Sequence, residues 1–220
     1  MNSTIDFKNN DDLAFFGIVN ASISHELKNI LAIISEAAGL LQDLTEMVAR
    51  GQKIELEMLK TCSQDIVEEI QRGFTTIKQM NTFSHSVDVP LKSVNLIEVL
   101  DLMINLAGFL SFASKVRFDP PQDEASIVST CPFRLQNLVY HTLVFAFKSV
   151  GVDGEIQVAV HRETNSSARI AFSGLGTEGG LPFPSEETKN IAASIGAEIR
   201  MADDSQAIDI LVSQFSENSG

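Results

Sequence analysis

Val19-Asn20-Ala21-Ser22-Ile23-Ser24-His25-Glu26-Leu27-Lys28-Asn29-Ile30 sets the reading of the whole chain. Its apolar residues Val19, Ile23, Leu27 and Ile30 recur every three or four positions, and Ile34, Ala37, Leu41, Leu44 and Val48 continue the rhythm. That is the one-sided stripe of a long helix. Between Asp11 and His85 there is no proline, and the strong turn signal is Arg50-Gly51-Gln52. Beyond it a second stripe runs through Leu59, Cys62, Ile66, Ile70, Phe74, Ile77 and Met80. Two long helices joined at Gly51 make a helical hairpin, expected over residues 11–88. A lone hairpin cannot cover both of its stripes. Two copies are therefore expected to pair as a four-helix bundle, which predicts a homodimer.

From Pro90 the texture changes, and a second domain is expected over residues 91–216. Ser93 to Ala113 reads as a short strand start and then an apolar helix, and Phe133 to Val150 as another helix. Strand-like alternation follows in Glu155–His161, Arg169–Ser173 and Glu198–Met201. Lys189–Ile195 suits a helix and Ala207–Phe215 a closing strand, while Ser216–Gly220 reads as a frayed tail. Helices and strands mixed in this way predict an α+β fold, with a layer of helices on one sheet.

The composition sets limits on function. The 220 residues carry 16 Lys+Arg against 29 Asp+Glu, a net charge of −13, with 44% hydrophobic residues. So apolar a chain folds. Its acidity and its lack of any Lys/Arg cluster argue against nucleic acid and anionic membrane as partners. No apolar run is long enough to span a bilayer and the first twelve residues are polar, so a cytoplasmic protein is expected. Cys62 and Cys131, far apart and in apolar surroundings, read as core residues of a reducing compartment.

The chemistry begins at His25. It lies two residues from Ile23 and two from Leu27, roughly 200° around the helix from each, so it points to solvent. Lys28 and Asn29, three and four residues on, share its face, and Glu26 stands beside it. A neutral imidazole is a good nucleophile near pH 7. Glu26 is placed to orient it or accept a proton, and Lys28 to offset developing negative charge. The plain alternative is a surface histidine on a solvated helix face.

His25-Glu26-Leu27-Lys28-Asn29 on the first helix of a dimerising hairpin resembles the phospho-acceptor box of sensor histidine kinases, in their dimerisation and histidine-phosphotransfer domain. The order of the remaining segments is similar too. Leu91 to Leu100 resembles the entry strand and helix of the kinases' ATP-binding, Bergerat-like domain, and Cys131-Pro132-Phe133-Arg134-Leu135-Gln136-Asn137-Leu138 the approach to its asparagine box. The resemblance runs from about residue 11 to 215. It implies an α/β sandwich for the second domain and His25 as a phosphoryl acceptor, with Glu26, Lys28 and Asn29 as its neighbours in the site.

The departures from the family are as informative. Where the kinases carry the magnesium-holding Asn, this chain has Phe145, and the earlier polar position of that box is His141. A phenyl ring cannot coordinate a hard cation. The Asp-x-Gly-x-Gly box appears as Ser173-Gly174-Leu175-Gly176-Thr177-Glu178-Gly179-Gly180, with no Asp in either frame. Of the lid, Leu181 to Glu186 remains, six residues that cannot close over a triphosphate. The glycine run beside two prolines reads as a plain turn rather than a phosphate cradle, and His141 as a half-buried helix residue set against the sheet.

An intact acceptor box on such a domain implies a histidine phosphotransferase. It would take a phosphoryl group onto His25 from the Asp of a response-regulator receiver domain and pass it to another. Mg2+ would come from the receiver; no cofactor is expected on this chain and ATP is not expected to bind. Small residues at Ala21, Ser22, Ala32 and Ser35 would let a partner helix approach. The alternatives are a pseudokinase or phosphatase module that binds a receiver without being phosphorylated, and, least favoured, an active kinase.

Overall fold

The computed structural model describes residues 10–108, 115–120, 127–151, 153–164, 166–176, 182–202 and 206–213. It is an α+β fold that divides into two compact units, residues 17–82 and the remainder of the chain on either side of them. The expected Leu181, Phe215 and most of the glycine run (Thr177 to Gly180) lie outside the described residues, as do Phe109 to Ala113 and the tail.

Residues 17–82 are the helical hairpin. Helix α1 spans Asn10–Ala49, and its first turns belong to the other unit; α2 spans Leu56–Ser84. The turn between them forms where the stripe breaks. Gly51 sits at φ +80°, its N–H bonds to Val48 O at 2.9 Å, and the N–H of Gln52 reaches back to Met47 O at 3.0 Å. That pair of bonds satisfies carbonyls that the end of α1 leaves open, and it needs a residue without a Cβ at the left-handed position.

The inward face of α1 is the predicted stripe with one substitution. Val19, Ile23, Ile30 and Leu44 are buried and Leu27 is only half-buried, while Glu26 is buried in its place. Val48 is exposed. On α2 part of the stripe turns inward and the rest is left uncovered, as expected of a lone hairpin. Cys62 and Thr76 are buried and Leu59, Ile66, Glu69 and Gly73 half-buried, but Ile70, Phe74 and Ile77 face out. The reason is local: Ile30 of α1 lies where a Cβ on Gly73 would be 3.6 Å from its Cγ2, so the hairpin closes on the small residue and turns the large ones away.

The second unit holds two sheets, not the single one expected. The strands are β1 (Lys92–Asn95), β2 (Lys115–Phe118), β3 (Ile127–Thr130), β4 (Glu155–Arg162), β5 (Ser167–Ser173), β6 (Ala197–Met201) and β7 (Ala207–Ser213). Strands β1 and β3 pair antiparallel, and the larger sheet has the order β2-β4-β5-β7-β6, antiparallel throughout except that β2 runs parallel to β4. Alternate residues of the central strands form one buried face: Ile156, Val158 and Val160 on β4, Ala168, Ile170 and Phe172 on β5, Ile208, Ile210 and Val212 on β7. This is the period-two burial of a sheet covered on one side. The helices of the unit are α3 (Leu96–Gly108), α4 (Pro132–Val150) and α5 (Glu186–Ser194). Proline at the first position of α4 and Ser185 as the N-cap of α5, accepting from Thr188 N at 3.1 Å, start those helices.

The chain ends that flank the hairpin belong to this unit. Phe15 meets Phe83 edge-on at 5.5 Å and lies 5.3 Å from Phe133 and 5.2 Å from Tyr140. Phe15, Phe83 and Phe133 are fully buried, so this cluster is part of the unit's core. Asp12 is buried beside it, accepting from Asn137 Nδ2 at 3.4 Å, with Arg134 at 3.6 Å from its other oxygen.

Candidate functional site

Helix phase decides which side chains of the segment His25 to Asn29 meet water. His25 and Lys28 are exposed, Asn29 is half-buried, and Glu26 is turned inward. The amide nitrogen of Asn29 lies 3.3 Å from His25 Nδ1, the four-residue neighbour relation that the spacing predicts. Two arrangements fit this spacing: an Asn29 N–H donated to Nδ1, or an Asn29 oxygen accepting from Nδ1–H, and it is the second that leaves Nε2 as the ring's free lone pair.

Glu26 does something other than expected. Its side chain is 7% exposed and its Oε1 is bound by the Nη2 of Arg72, a residue 46 positions away on α2. The Nη1 of the same guanidinium donates to both carboxylate oxygens of Glu69 at 3.2 Å. The carboxylate beside His25 is thus tied across the hairpin, and the contact on the imidazole is made by Asn29. Sequence reasoning missed Arg72 and Glu69 because neither belongs to the box. The available signal was a charged residue at a stripe position, which a fold tolerates only when paired.

Elsewhere in the chain the second unit has a cleft of about 500 Å³ bordered by His141, Phe145, Lys148, Phe183, Pro184 and Lys189. Phe145 stacks on Phe183 with ring centroids 4.3 Å apart and planes at 18°. His141 is half-buried, as expected, but its partner is a carboxylate from α5, Glu187 Oε1 at 3.7 Å. Burial holds its imidazole below the ordinary pKa, against the opposing pull of Glu187 and Asp11. The two described glycines of the former box are packing residues. A Cβ on Gly174, which sits at φ +81°, would come within 2.8 Å of Glu155 O, and one on Gly176 would collide with Ser149 O.

Both cysteines are free; Cys62 is buried, and burial pushes the Cys131 thiol up, away from a ready thiolate. No cluster of metal-ligating side chains stands among the described residues, and no described helix is long and apolar enough to cross a membrane.

No family profile and no curated protein matches the chain. Solved structures of histidine kinases are similar in form. The Acinetobacter baumannii histidine kinase AdeS, 10% identical, aligns over 87% of this chain and 98% of its own with a TM-score of 0.46. The ATP-binding domain of PrrB from Mycobacterium tuberculosis, 17% identical, aligns over 59% of this chain and all of its own, 100%, also at 0.46. The histidine kinase ThkA, solved in complex with the response regulator TrrA, is 18% identical over 94% of this chain and 64% of its own, at 0.42.

Proposed function

We propose that this chain is a cytoplasmic histidine phosphotransferase of a two-component phosphorelay, taking a phosphoryl group on His25 from a receiver-domain aspartate and passing it to another. The observation that carries the reading is the solvent-facing imidazole of His25 with Asn29 on its Nδ1. In the forward step the Nε2 lone pair forms the N–P bond while the P–O bond of the acyl phosphate breaks, and the aspartate carboxylate leaves with the electron pair. Onward transfer is the reverse. Asn29 holds the ring, Lys28 offsets charge on the equatorial oxygens, and the Mg2+ needed for in-line transfer comes with the receiver.

Two further observations support the reading. Phe145 and Phe183 stack where a nucleotide's metal would need an oxygen ligand, which speaks against self-charging from ATP. Ile70, Phe74 and Ile77 stand exposed in a row on α2, with Leu31 exposed on α1, an apolar face that a second copy would cover as a four-helix bundle. The small residues Ala21, Ala32 and Ser35 are exposed on α1, and Ser22 is half-exposed.

The test is labelled transfer to purified protein from a pre-phosphorylated receiver and, separately, from ATP with magnesium. Label on wild type from the receiver alone, and none on His25→Ala, is the expected result. Direct labelling from ATP would make the chain a kinase. A second reading, a phosphatase module, draws on the same Asn29 amide, which can hold a water against an acyl phosphate. It predicts that His25→Ala still speeds dephosphorylation of the receiver while Asn29→Ala does not.

A further inference from the structure

We propose that Arg72 is a positioning residue for phosphoryl transfer: by holding Glu26 and Glu69 it offsets one of their two negative charges near His25 and so eases the approach of an anionic phosphoryl donor. The inference rests on His25 being the acceptor.

Three facts carry it. Glu26 follows His25 in sequence, so an ionised carboxylate one residue from the imidazole stands in the field of any arriving phosphate. Its side chain is 7% exposed, against 47% for Arg72 and 17% for Glu69, so little water screens Glu26. Arg72 reaches both acids at once, Glu26 through Nη2 and Glu69 through Nη1. A guanidinium is suited to this because its donors are fixed in a plane and it stays charged. A phosphoryl donor brings at least one negative charge to Nε2. Like charges repel, and Glu26, itself poorly screened by water, would oppose that approach if it were left without its guanidinium. The neutral imidazole needs no such help against an uncharged reagent, and that difference separates an electrostatic role from a merely structural one.

The experiment uses the full chain and two small reagents, with modification at His25 read by mass spectrometry. Phosphoramidate delivers a charged phosphoryl group: the imidazole nitrogen forms the N–P bond and ammonia leaves. Diethyl pyrocarbonate is an uncharged acylating reagent for the same nitrogen. Arg72→Gln is expected to slow phosphoramidate labelling about tenfold, the size of one unscreened charge contact at an effective dielectric between protein and water, and to leave acylation within about twofold of wild type. Arg72→Lys should recover part of the rate. The double variant Glu26→Gln with Arg72→Gln should recover most of it, because Glu69 is then the one carboxylate left and the net charge of the cluster returns to that of wild type. Equal slowing with both reagents would assign Arg72 a structural role and overturn the proposal, as would unchanged phosphoramidate labelling. Neither reagent needs a receiver, so failure of receiver transfer would overturn the phosphorelay reading while leaving the role of Arg72 to be decided by the two rates.

Discussion

The hairpin and the α/β unit solve the same problem, burying apolar surface, with different residues. In the α/β unit most buried positions are filled by large apolar side chains, among them Phe15, Phe83, Phe133, Leu135, Leu138, Met103, Phe172 and the alternating Ile and Val of the sheet, with polar residues such as Asp12, Asn137 and Thr142 buried between them. Its polar atoms are the exceptions, with Thr130 Oγ1, Gln136 Oε1 and Asn137 Oδ1 buried and unpaired among the described residues. In the hairpin the seam is narrow and mixed. Glu26 and Thr76 are buried alongside Ile23 and Ile30, while Phe74 stays 65% exposed. The α/β unit thus buries a broad apolar core, whereas the hairpin buries a narrow seam that includes a paired carboxylate and leaves apolar side chains of α2 exposed.

That contrast can be broken or sharpened by substitution. The largest effect is expected at Phe133, fully buried and in contact with Phe15, Phe16 and Phe83. Phe133→Ala should cost about 3–5 kcal/mol in the unfolding of the α/β unit, read by denaturant titration or calorimetry. A loss under about 1 kcal/mol would mean that this cluster is not the core of the unit.

On the hairpin the corresponding loss should appear in assembly rather than folding. Phe74→Asp places a charge on the exposed face of α2 and is expected to weaken self-association by ten- to a hundredfold, about the worth of one buried Phe, in sedimentation velocity. Helix content by circular dichroism should not change. An unaltered dimer would move the interface elsewhere, and a wild-type monomer would remove the four-helix bundle.

Gly73 offers a gain. It lies inside α2, and the nearest atom to an added Cβ is Ile30 Cγ2 at an ordinary contact distance of 3.6 Å. Gly73→Ala should therefore raise the stability of the hairpin by about 0.5–1 kcal/mol, because glycine in mid-helix carries extra backbone entropy in the unfolded chain. A loss instead would show that Ile30 already fills the seam.

The smallest effect is the pH response of His141. Burial lowers its pKa in the folded state, so the unfolded chain takes the proton first. Stability from this group is therefore present above the ordinary histidine pKa of about 6.5 and falls as the pH drops through that value towards the lowered one. His141→Gln should flatten that part of the stability curve. An unchanged slope between about pH 7 and 5 would mean that the pairing with Glu187 offsets the cost of burial.

Much of this was legible in the chain. Helices are local, so the stripes placed α1 and α2, and phase arithmetic alone sent His25 to solvent. Glycine at 51 announced the turn. Alternation in β4, β5 and β7 was plain because each has one covered face. Strands β2 and β3 were not legible: each is four residues long, and neither Lys115–Phe118 nor Ile127–Thr130 carries enough alternation to stand out without its partner strand. The spacing of the second stripe puts Ile70, Phe74 and Ile77 on a face that a lone hairpin cannot cover, and these residues stand exposed. Spacing reports a common face and is silent on what covers it.

The sequence by itself determined the hairpin, the α+β character of the rest, and the exposure of His25 beside Asn29. These follow from periodicity and side-chain chemistry within a few turns of chain. Tertiary structure alone decided that Glu26 leaves the imidazole for Arg72, that Phe145 finds Phe183, that Glu187 answers His141, and that β2 lies parallel to β4. Those pairings join residues tens of positions apart, and packing against the remainder of the fold selects them where no local preference can.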